Sequence, residues 1–523
     1  MPNRPGPLAP THAPPQPPPH PSSAASCPLR GGRWPRRAWQ GCALLAALLV
    51  APATAAAQDA IQRRIEQILR TESVSDLRLR TDLSLSLAER TAFEYGGSVG
   101  FTGIFLNDSE GESRTLLAPE VTLFARASLD GVHEGFFRAR FRYQDFSAGD
   151  SFDGRQDRFV QPFHDRYWYQ FDLRRALKVY QGVDSDFNLN VRVGRQFVDW
   201  GASLVLSETL YAVRPTFEFG PAWRIEGLAG ITPDHTVDFD ASRIDFDTGT
   251  RRAYYGGRLV YTLPNANEVY AFGLFMEDLY SDLRSRFLPI LNPVQFAYDS
   301  TYVGVGSRGG ITNDLAYEME VVGQFGRSFS DPFRPPTLVF VGPPPQTRED
   351  VRAWAARGQF TYLFRDRTDA QIEGEALFFS GDEDRLSSTD TVGGNLTGTT
   401  DQAFNSLGFA NVGLAFAPSL SNLVAGRIGY RAFPFRSLAG GALDDLQLGV
   451  DGIMFFKAVA SGGIDEPTTD DSFLGGELDF SATYRLTSDL ALSVRYGVFF
   501  PGDAIARPNN TRHFVLFNVT LAF

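Results

Sequence analysis

The chain ends in the stretch Val515-Leu516-Phe517-Asn518-Val519-Thr520-Leu521-Ala522-Phe523. Its odd-numbered residues are all apolar and lie on one face of an extended chain, whereas Asn518, Thr520 and Ala522 lie on the other face. Such alternation indicates a strand with one apolar and one solvated face. The stretch therefore predicts a two-sided closing strand whose final residue, Phe523, is aromatic.

The same period of two recurs upstream of this strand. The clearest runs are Leu77–Leu87, Phe137–Tyr143, Phe187–Val193, Trp354–Phe364, Ala370–Phe378 and Leu474–Leu486. The longest reach about 10–13 residues, which exceeds the about 5–6 residues of a soluble strand and suits a tilted membrane strand. We count about 17 to 20 candidate strands, and the even parity of such barrels favours about 18. The predicted fold class is all-β, a transmembrane antiparallel β-barrel over residues 75–523.

The predicted connections between strands differ in length. Residues 263–267, 365–368 and 487–489 have the composition of tight hairpin turns. Longer polar or Pro/Gly-rich loops are expected near residues 146–165, 280–299, 327–350 and 381–407. Short turns at one end and long loops at the other are typical of outer-membrane barrels.

The N-terminal region is predicted to consist of a leader segment followed by one helix. A basic segment, Arg30–Arg37, precedes the apolar run Gly41–Ala51 and the small residues Ala55–Ala57, which predicts a signal peptide over residues 1–57. Residues 58–74 are predicted to form a short periplasmic helix, because Ile61, Ile65, Ile68 and Leu69 share one helical face. A partner-docking helix is the alternative interpretation of that face.

Composition excludes some classes of protein. The predicted leader holds both Cys residues, five Arg and no acidic residue, so the remaining chain has 44 basic and 61 acidic residues, a net charge of −17. This charge is too acidic for a general nucleic-acid binder. No later segment has 18 consecutive apolar residues, so any membrane insertion would use strands.

The final fifty residues carry a family resemblance. A terminal Phe on an alternating strand resembles the C-terminal signature of bacterial outer-membrane proteins. Leu474–Leu486 contains a G-x-E-x-D strand, and the run Leu490–Asp503 is a return strand that ends in F-F-x-G-D. In this order the motifs resemble the alginate export family of outer-membrane β-barrel porins, and Val193–Gly201 resembles a Gly-Arg-Gln segment of that family. The resemblance implies an 18-stranded barrel in the bacterial outer membrane, with an Arg-rich lumen for anionic polysaccharide.

If the apolar faces meet lipid, the opposite faces line a lumen. Planar guanidinium groups there would attract carboxylates or phosphates. Inward acidic residues provide an alternative, since they could pair with the arginines and brace the barrel interior. The candidate lumen and substrate-binding residues are Arg138, Arg140, Arg142, Arg192, Arg427, Arg431, Arg485, Arg495, Glu477 and Asp479.

Catalytic and cofactor motifs are weak. Beyond the leader, the four histidines (His133, His164, His235 and His513) have no metal-ligand spacing, so we expect no cofactor and no metal. The segment Gly304–Gly309 matches G-x-G-x-x-G, but a strand-like run follows it, so we expect a tight hairpin rather than a dinucleotide site.

The leading hypothesis is a porin or export channel for an anionic or oligosaccharide solute, and not an enzyme. An outer-membrane barrel enzyme acting on lipid and a structural barrel with a blocked lumen are the alternatives. The expected partners are outer-membrane lipid, an anionic polysaccharide or small solute, and the outer-membrane assembly machinery through Phe523. We expect a monomer that binds no nucleic acid.

Overall fold

The computed structural model describes residues 90–109, 111–147, 156–234, 236–243, 246, 249–279, 294–333, 346–438 and 441–523. The predicted leader (residues 1–57), the predicted helix (residues 58–74) and the run Leu77–Leu87 lie outside the described residues.

Eighteen long antiparallel strands form one closed sheet in the described part of the chain. Each strand pairs with its neighbours in sequence, and the last strand pairs with the first, with Val515 opposite Phe105 and Leu521 opposite Val99. The prediction of an 18-stranded barrel is therefore confirmed. The strands are β1 (Ala92–Asn107), β2 (Ser113–Leu129), β3 (His133–Phe146), β4 (His164–Asp172), β5 (Phe187–Trp200), β6 (Leu206–Phe219), β7 (Trp223–Ile231), β8 (Arg252–Thr262), β9 (Glu268–Asp278), β10 (Tyr298–Gly310), β11 (Leu315–Phe329), β12 (Arg348–Leu363), β13 (Gln371–Phe379), β14 (Leu423–Ala432), β15 (Leu446–Phe456), β16 (Phe473–Arg485), β17 (Leu490–Pro501) and β18 (Arg512–Ala522).

Shorter elements join this sheet. A two-residue strand, Arg158–Phe159, pairs with β3. The helix α1 is α-helical over Leu173–Ala176 and continues as a π-helical turn over Leu177–Gln181, and Pro434–Leu438 form a 3₁₀ helix. None of the helices in the described ranges has the length and apolar character needed to cross a membrane.

The outer surface of the barrel is apolar because alternate residues of each strand point outward. Phe325 of β11 and Trp354 of β12 are 53% and 48% exposed, and Trp354 stacks on Phe378 of β13 with ring centroids 4.0 Å apart. A continuous apolar surface of this kind is costly in water and favourable in a bilayer. The chain therefore presents its large apolar side chains to lipid, as the alternation predicts.

The two ends of the barrel differ as the sequence predicts. The first residue of β1 and the last residue of β18 lie at the same end of the barrel. The strands at this end are joined by short turns such as 263–267, in which the N–H of Leu263 donates to the carbonyl of Asn267 over 2.7 Å. We call this the turn end and the opposite one the loop end. The strand ends that border the connections 147–163, 232–251, 279–297, 330–347, 380–422 and 457–472 all lie at the loop end.

One predicted turn is wrong. Gly304 and Gly306 lie within strand β10 and not in a hairpin. A Cβ at Gly304 would lie 2.3 Å from the ring of Phe272, and one at Gly306 would lie 2.4 Å from the ring of Tyr270. These glycines therefore make room for inward aromatic rings of the neighbouring strand β9, which is a packing role that the spacing motif does not reveal.

Candidate functional site: a divided lumen

The connection 380–422, which we call the inner loop, enters the barrel. The backbone N–H of Leu407 donates to the carbonyl of Val205, which directly precedes β6. The backbone N–H of Ser207 in β6 donates in turn to the carbonyl of Leu407, and both hydrogen bonds are 3.1 Å long. Near β10, the hydroxyl of Tyr302 donates to the carbonyl of Asn405 over 2.7 Å. Further along, Phe416 stacks on Phe499 of β17 with ring centroids 4.3 Å apart. Because β6, β10 and β17 are spaced around the barrel, the loop crosses the lumen.

Glu477 of β16 anchors the far side of the inner loop. Its carboxylate accepts hydrogen bonds from the backbone N–H groups of Leu414, Ala415 (2.6 Å) and Phe416 (2.7 Å). The side chain of Leu414 packs with buried apolar residues of β1 and β18, such as Ile104 and Leu516. The sequence predicts Glu477 as a lumen residue, but it does not reveal this role, because the donors come from a loop about sixty residues earlier.

Buried charges hold the inner loop in shape. The guanidinium of Arg385 donates to both oxygens of Asp401, over 3.0 and 2.5 Å, and to the carbonyls of Ser388 and Asp390, each over 3.1 Å. The Arg385 and Asp401 side chains are 5% and 0% exposed. A buried pair with this many partners orders the loop and does not by itself imply binding.

The connection 232–251 supports the inner loop from the wall. The hydroxyl of Thr391 donates to Asp240 over 2.7 Å, and burial raises the pKa of Asp240 above its ordinary value. Burial alone would also raise the pKa of Asp238, but Arg252 and Arg243 bring it below its ordinary value. The loop is thus attached to a second loop that is itself fixed by charge pairs.

Two adjoining cavities lie in the lumen on the turn-end side of the inner loop. Their volumes are about 490 and 230 Å³, and both are lined by Thr483 and Arg495. We call them together the basic chamber. Four acidic residues, Glu94, Glu120, Asp451 and Asp479, belong to its lining. The arginines that line it are Arg126, Arg138, Arg142, Arg427, Arg431 and Arg495.

Six of the ten residues predicted from sequence thus line the basic chamber. They are Arg138, Arg142, Arg427, Arg431, Arg495 and Asp479. Arg126 was missed by sequence reasoning, although the alternation along β2 carries the signal: Leu123 is outward and exposed, and Arg126 is inward and buried. Arg126 forms an ion pair with Glu134 of β3.

The arginine triplet of β3 points inward and is partly neutralised by neighbouring strands. Arg138 pairs with Asp165 of β4 through Nε and Oδ1 at 2.9 Å, and Arg140 lies 3.7 Å from the same carboxylate. Arg142 pairs with Glu120 of β2 through Nε and Oε2 at 2.5 Å. The three guanidinium groups of the triplet therefore share two carboxylates, those of Asp165 and Glu120.

Arg427 and Arg431 of β14 take part in a ladder of alternating charges. Arg427 lies 2.9 Å from Glu375 and also pairs with Glu373 of β13. Arg431 lies 3.4 Å from Glu373 and 3.2 Å from Asp451 of β15. This ladder links neighbouring strands inside the barrel. It agrees with the alternative interpretation of these arginines, in which inward acidic residues pair with them and brace the barrel interior.

Two further candidates, Arg192 and Arg485, lie outside the lining of the basic chamber. The guanidinium of Arg192 lies 4.0 Å from the ring centroid of Trp168, and its Nε donates to Gln170 over 2.9 Å. Arg485 is exposed at the turn end, as the last residue of β16. Within the described ranges, no group of three or more His, Cys, Asp or Glu side chains is arranged to hold a metal ion.

The apolar exterior, the charged lumen and the unequal ends define an outer-membrane β-barrel of the channel-forming type. Residues 291–517 match the family model described as alginate export. Together with the closed barrel, this match over less than half of the chain fits an outer-membrane β-barrel of the alginate export family. The resemblance predicted from the sequence is therefore confirmed, and so is the bacterial outer membrane as the location.

Two solved structures illustrate the proteins to which this chain is similar in fold. The outer membrane protein opdK from Pseudomonas aeruginosa is 10% identical, and the match covers 82% of this chain and 99% of that chain with a TM-score of 0.46. OccK2 (OpdF) from the same organism, solved in complex with glucuronate, is 12% identical, with 82% and 98% covered and a TM-score of 0.45. A search of curated proteins found no match.

Proposed function

We propose that the protein is a passive porin or export channel whose basic chamber receives an anionic oligosaccharide or polysaccharide. The observation that carries this proposal is the lining of the chamber, which has six arginines and four acidic residues. Carboxylates of neighbouring strands pair with most of these arginines, so the chamber offers a row of guanidinium groups to a solute rather than a net positive charge. Guanidinium groups in such a position attract carboxylates and can bind them in two-point contacts.

Arg138 and Arg142 of the β3 triplet line this chamber, and Arg140 lies between them on the same strand but outside the lining. Asp165 and Glu120 neutralise two of the three guanidinium groups, and Arg140 is the least closely paired, at 3.7 Å from Asp165. A sugar carboxylate in the chamber would therefore meet Arg138 and Arg142 and could replace Asp165 and Glu120 as their partners, while Arg140 adds positive charge beside them. We propose that the barrel acts as a monomer in lipid. The backbone N–H of Phe523 donates to the carbonyl of Gly97 over 2.9 Å, and the N–H of Gly97 donates to the carbonyl of Phe523 over 3.0 Å. These hydrogen bonds of the closing strand support assembly of the barrel.

Anion preference in planar bilayers tests the proposal. In the triple variant R138Q/R140Q/R142Q, we expect the permeability ratio of chloride to potassium to fall by about threefold or more, because three positive charges in and beside the chamber are lost. We expect a uronic acid oligosaccharide to block the wild-type current and to block the variant at markedly higher concentration. The measurements are the reversal potential in a salt gradient and the concentration dependence of block.

A matched control removes the same charge elsewhere. Arg308, Arg365 and Arg436 lie near the turn end, outside the lining of the basic chamber, and pair with Glu268, Asp314 and Asp369. The variant R308Q/R365Q/R436Q should keep the wild-type anion preference. An unchanged preference in the β3 variant, or an equal loss in both variants, would contradict a role for the chamber.

A further inference from the structure

Three arginines lie on the outward face of the barrel near the loop end. Arg327 belongs to β11, and Arg348 and Arg352 belong to β12. On β12 the exposed residues Arg348, Asp350 and Arg352 alternate with the inward residues Val351 and Ala353, so these guanidinium groups lie on the lipid side of the wall. Together with Asp299 and Asp350 they form what we call the outer arginine patch.

The patch retains positive charge. Asp350 lies between two arginines, with Arg327 and Arg352 each 3.6 Å from its carboxylate. Arg348 pairs with Asp299 of β10. The side chains of Arg327 and Arg352 are 66% and 69% exposed. Three guanidinium groups thus share two carboxylates, and two of the three have long contacts and an open surface.

Large apolar side chains lie directly next to the patch on the same face. Phe325 is two residues from Arg327 on β11 and is opposite Arg352 in the register of the sheet. Trp354 is two residues from Arg352 on β12, and both rings are about half exposed. The patch therefore lies at the boundary between the apolar belt and the loop end. There an arginine on the lipid face is far less costly than it would be at the bilayer midplane.

We propose that the outer arginine patch binds the phosphorylated headgroup of lipopolysaccharide in the outer leaflet. In an outer-membrane barrel the long loops face the exterior, so the loop end meets that leaflet. Guanidinium groups bind phosphate through paired charge-assisted hydrogen bonds, and acyl chains of the same lipid would lie against Phe325 and Trp354. The register places Arg327 and Arg352 as diagonal neighbours across β11 and β12, which is a spacing that one phosphate can bridge. The proposal does not depend on which solute passes through the lumen.

Native mass spectrometry of the detergent-solubilised full chain tests this proposal. The probes are lipid A with two phosphates, the same lipid without phosphate, and phosphatidylglycerol. We expect the wild-type protein to bind the bisphosphorylated lipid at least about tenfold more tightly than the other two, which corresponds to one or two charge-assisted hydrogen bonds. In the variant R327S/R352S this preference should disappear.

The control variant R308S/R365S removes two exposed arginines that lie toward the turn end. It should retain the full preference for bisphosphorylated lipid A. Folding of all three proteins is verified by the slower migration of the heated chain on a gel. Equal binding by the R327S/R352S variant and the wild type, or equal binding of phosphatidylglycerol and lipid A, would overturn the proposal.

Discussion

Replacing residues 403–416 by a short Gly/Ser linker should raise the single-channel conductance by about threefold or more, because a barrel of 16–18 strands without an internal loop leaves an open aqueous channel. In the intact protein this segment joins the β6 side of the lumen to the β16 and β17 side. The strand ladder does not pass through it, so the barrel should still form. Planar-bilayer recording of the refolded protein provides the measurement. An unchanged conductance would show that the current follows a path which the inner loop does not restrict.

Glu477 offers a finer test of the same loop. In E477Q one acceptor oxygen replaces two, so at least one of the three backbone N–H donors of Leu414, Ala415 and Phe416 loses its partner. An unsatisfied buried donor costs about 1–3 kcal/mol, so we expect frequent transitions to a higher-conductance state. The matched variant is E226Q, because Glu226 is also an inward carboxylate but pairs with Arg224 and Arg258 of the wall. If both variants showed similar transitions, the effect would arise from the loss of a negative charge in the lumen and not from the loss of the loop anchor.

The barrel could be predicted from sequence because its determinants are local. The alternation in Val515–Phe523 determines the faces of β18, and the same is true of the G-x-E-x-D run in β16. A period of two is a property of neighbouring residues, and tight turns such as 263–267 set the register between two strands. Strand number, the asymmetry of the two ends and the inward direction of the β3 arginines all follow from such local patterns.

The inner loop could not be predicted, because its course depends on contacts between distant residues. The sequence indicates a long loop near 381–407, and a loop of that composition is equally compatible with the exterior. The partners of Glu477 are separated from it by 61–63 residues. A signal was nevertheless present: Phe404, Phe409, Val412, Leu414 and Phe416 are an unusual density of large apolar side chains for a loop in water.

The pairing of the lumen arginines could not be predicted from the sequence for a related reason. The sequence shows that Arg138, Arg140 and Arg142 share a face, but their partners Asp165 and Glu120 belong to β4 and β2. The relative position of these strands depends on register and on the long connection 147–163. Charge balance inside a barrel is therefore a property of the closed sheet and not of any single strand.

The variant R385M should release the inner loop while leaving the barrel intact. Asp401, whose side chain is 0% exposed, would lose its guanidinium partner, and an uncompensated buried charge costs about 3–5 kcal/mol. Both residues belong to the inner loop, so the cost falls on the folding of that loop and not on the strand ladder. We expect fast proteolysis and fast hydrogen exchange within residues 385–416, with the heat stability of the barrel close to that of the wild type.

A double-mutant cycle separates the charge pair from simple packing. In R385M/D401L both charges are gone, so the remaining cost is that of a changed apolar fit and of lost hydrogen bonds. The carbonyls of Ser388 and Asp390 lose a donor, and the N–H of Ala403 loses its acceptor. The double variant should therefore protect the loop from exchange better than R385M does, because replacing a whole buried pair costs less than removing one partner. R385K should be intermediate, since lysine keeps the charge but lacks the planar fork that reaches both Asp401 oxygens. If all three variants exchanged at the same rate, Arg385 would act through its volume, and the loop would be held in the lumen by its other contacts, such as those of Glu477, Leu407 and Asn405.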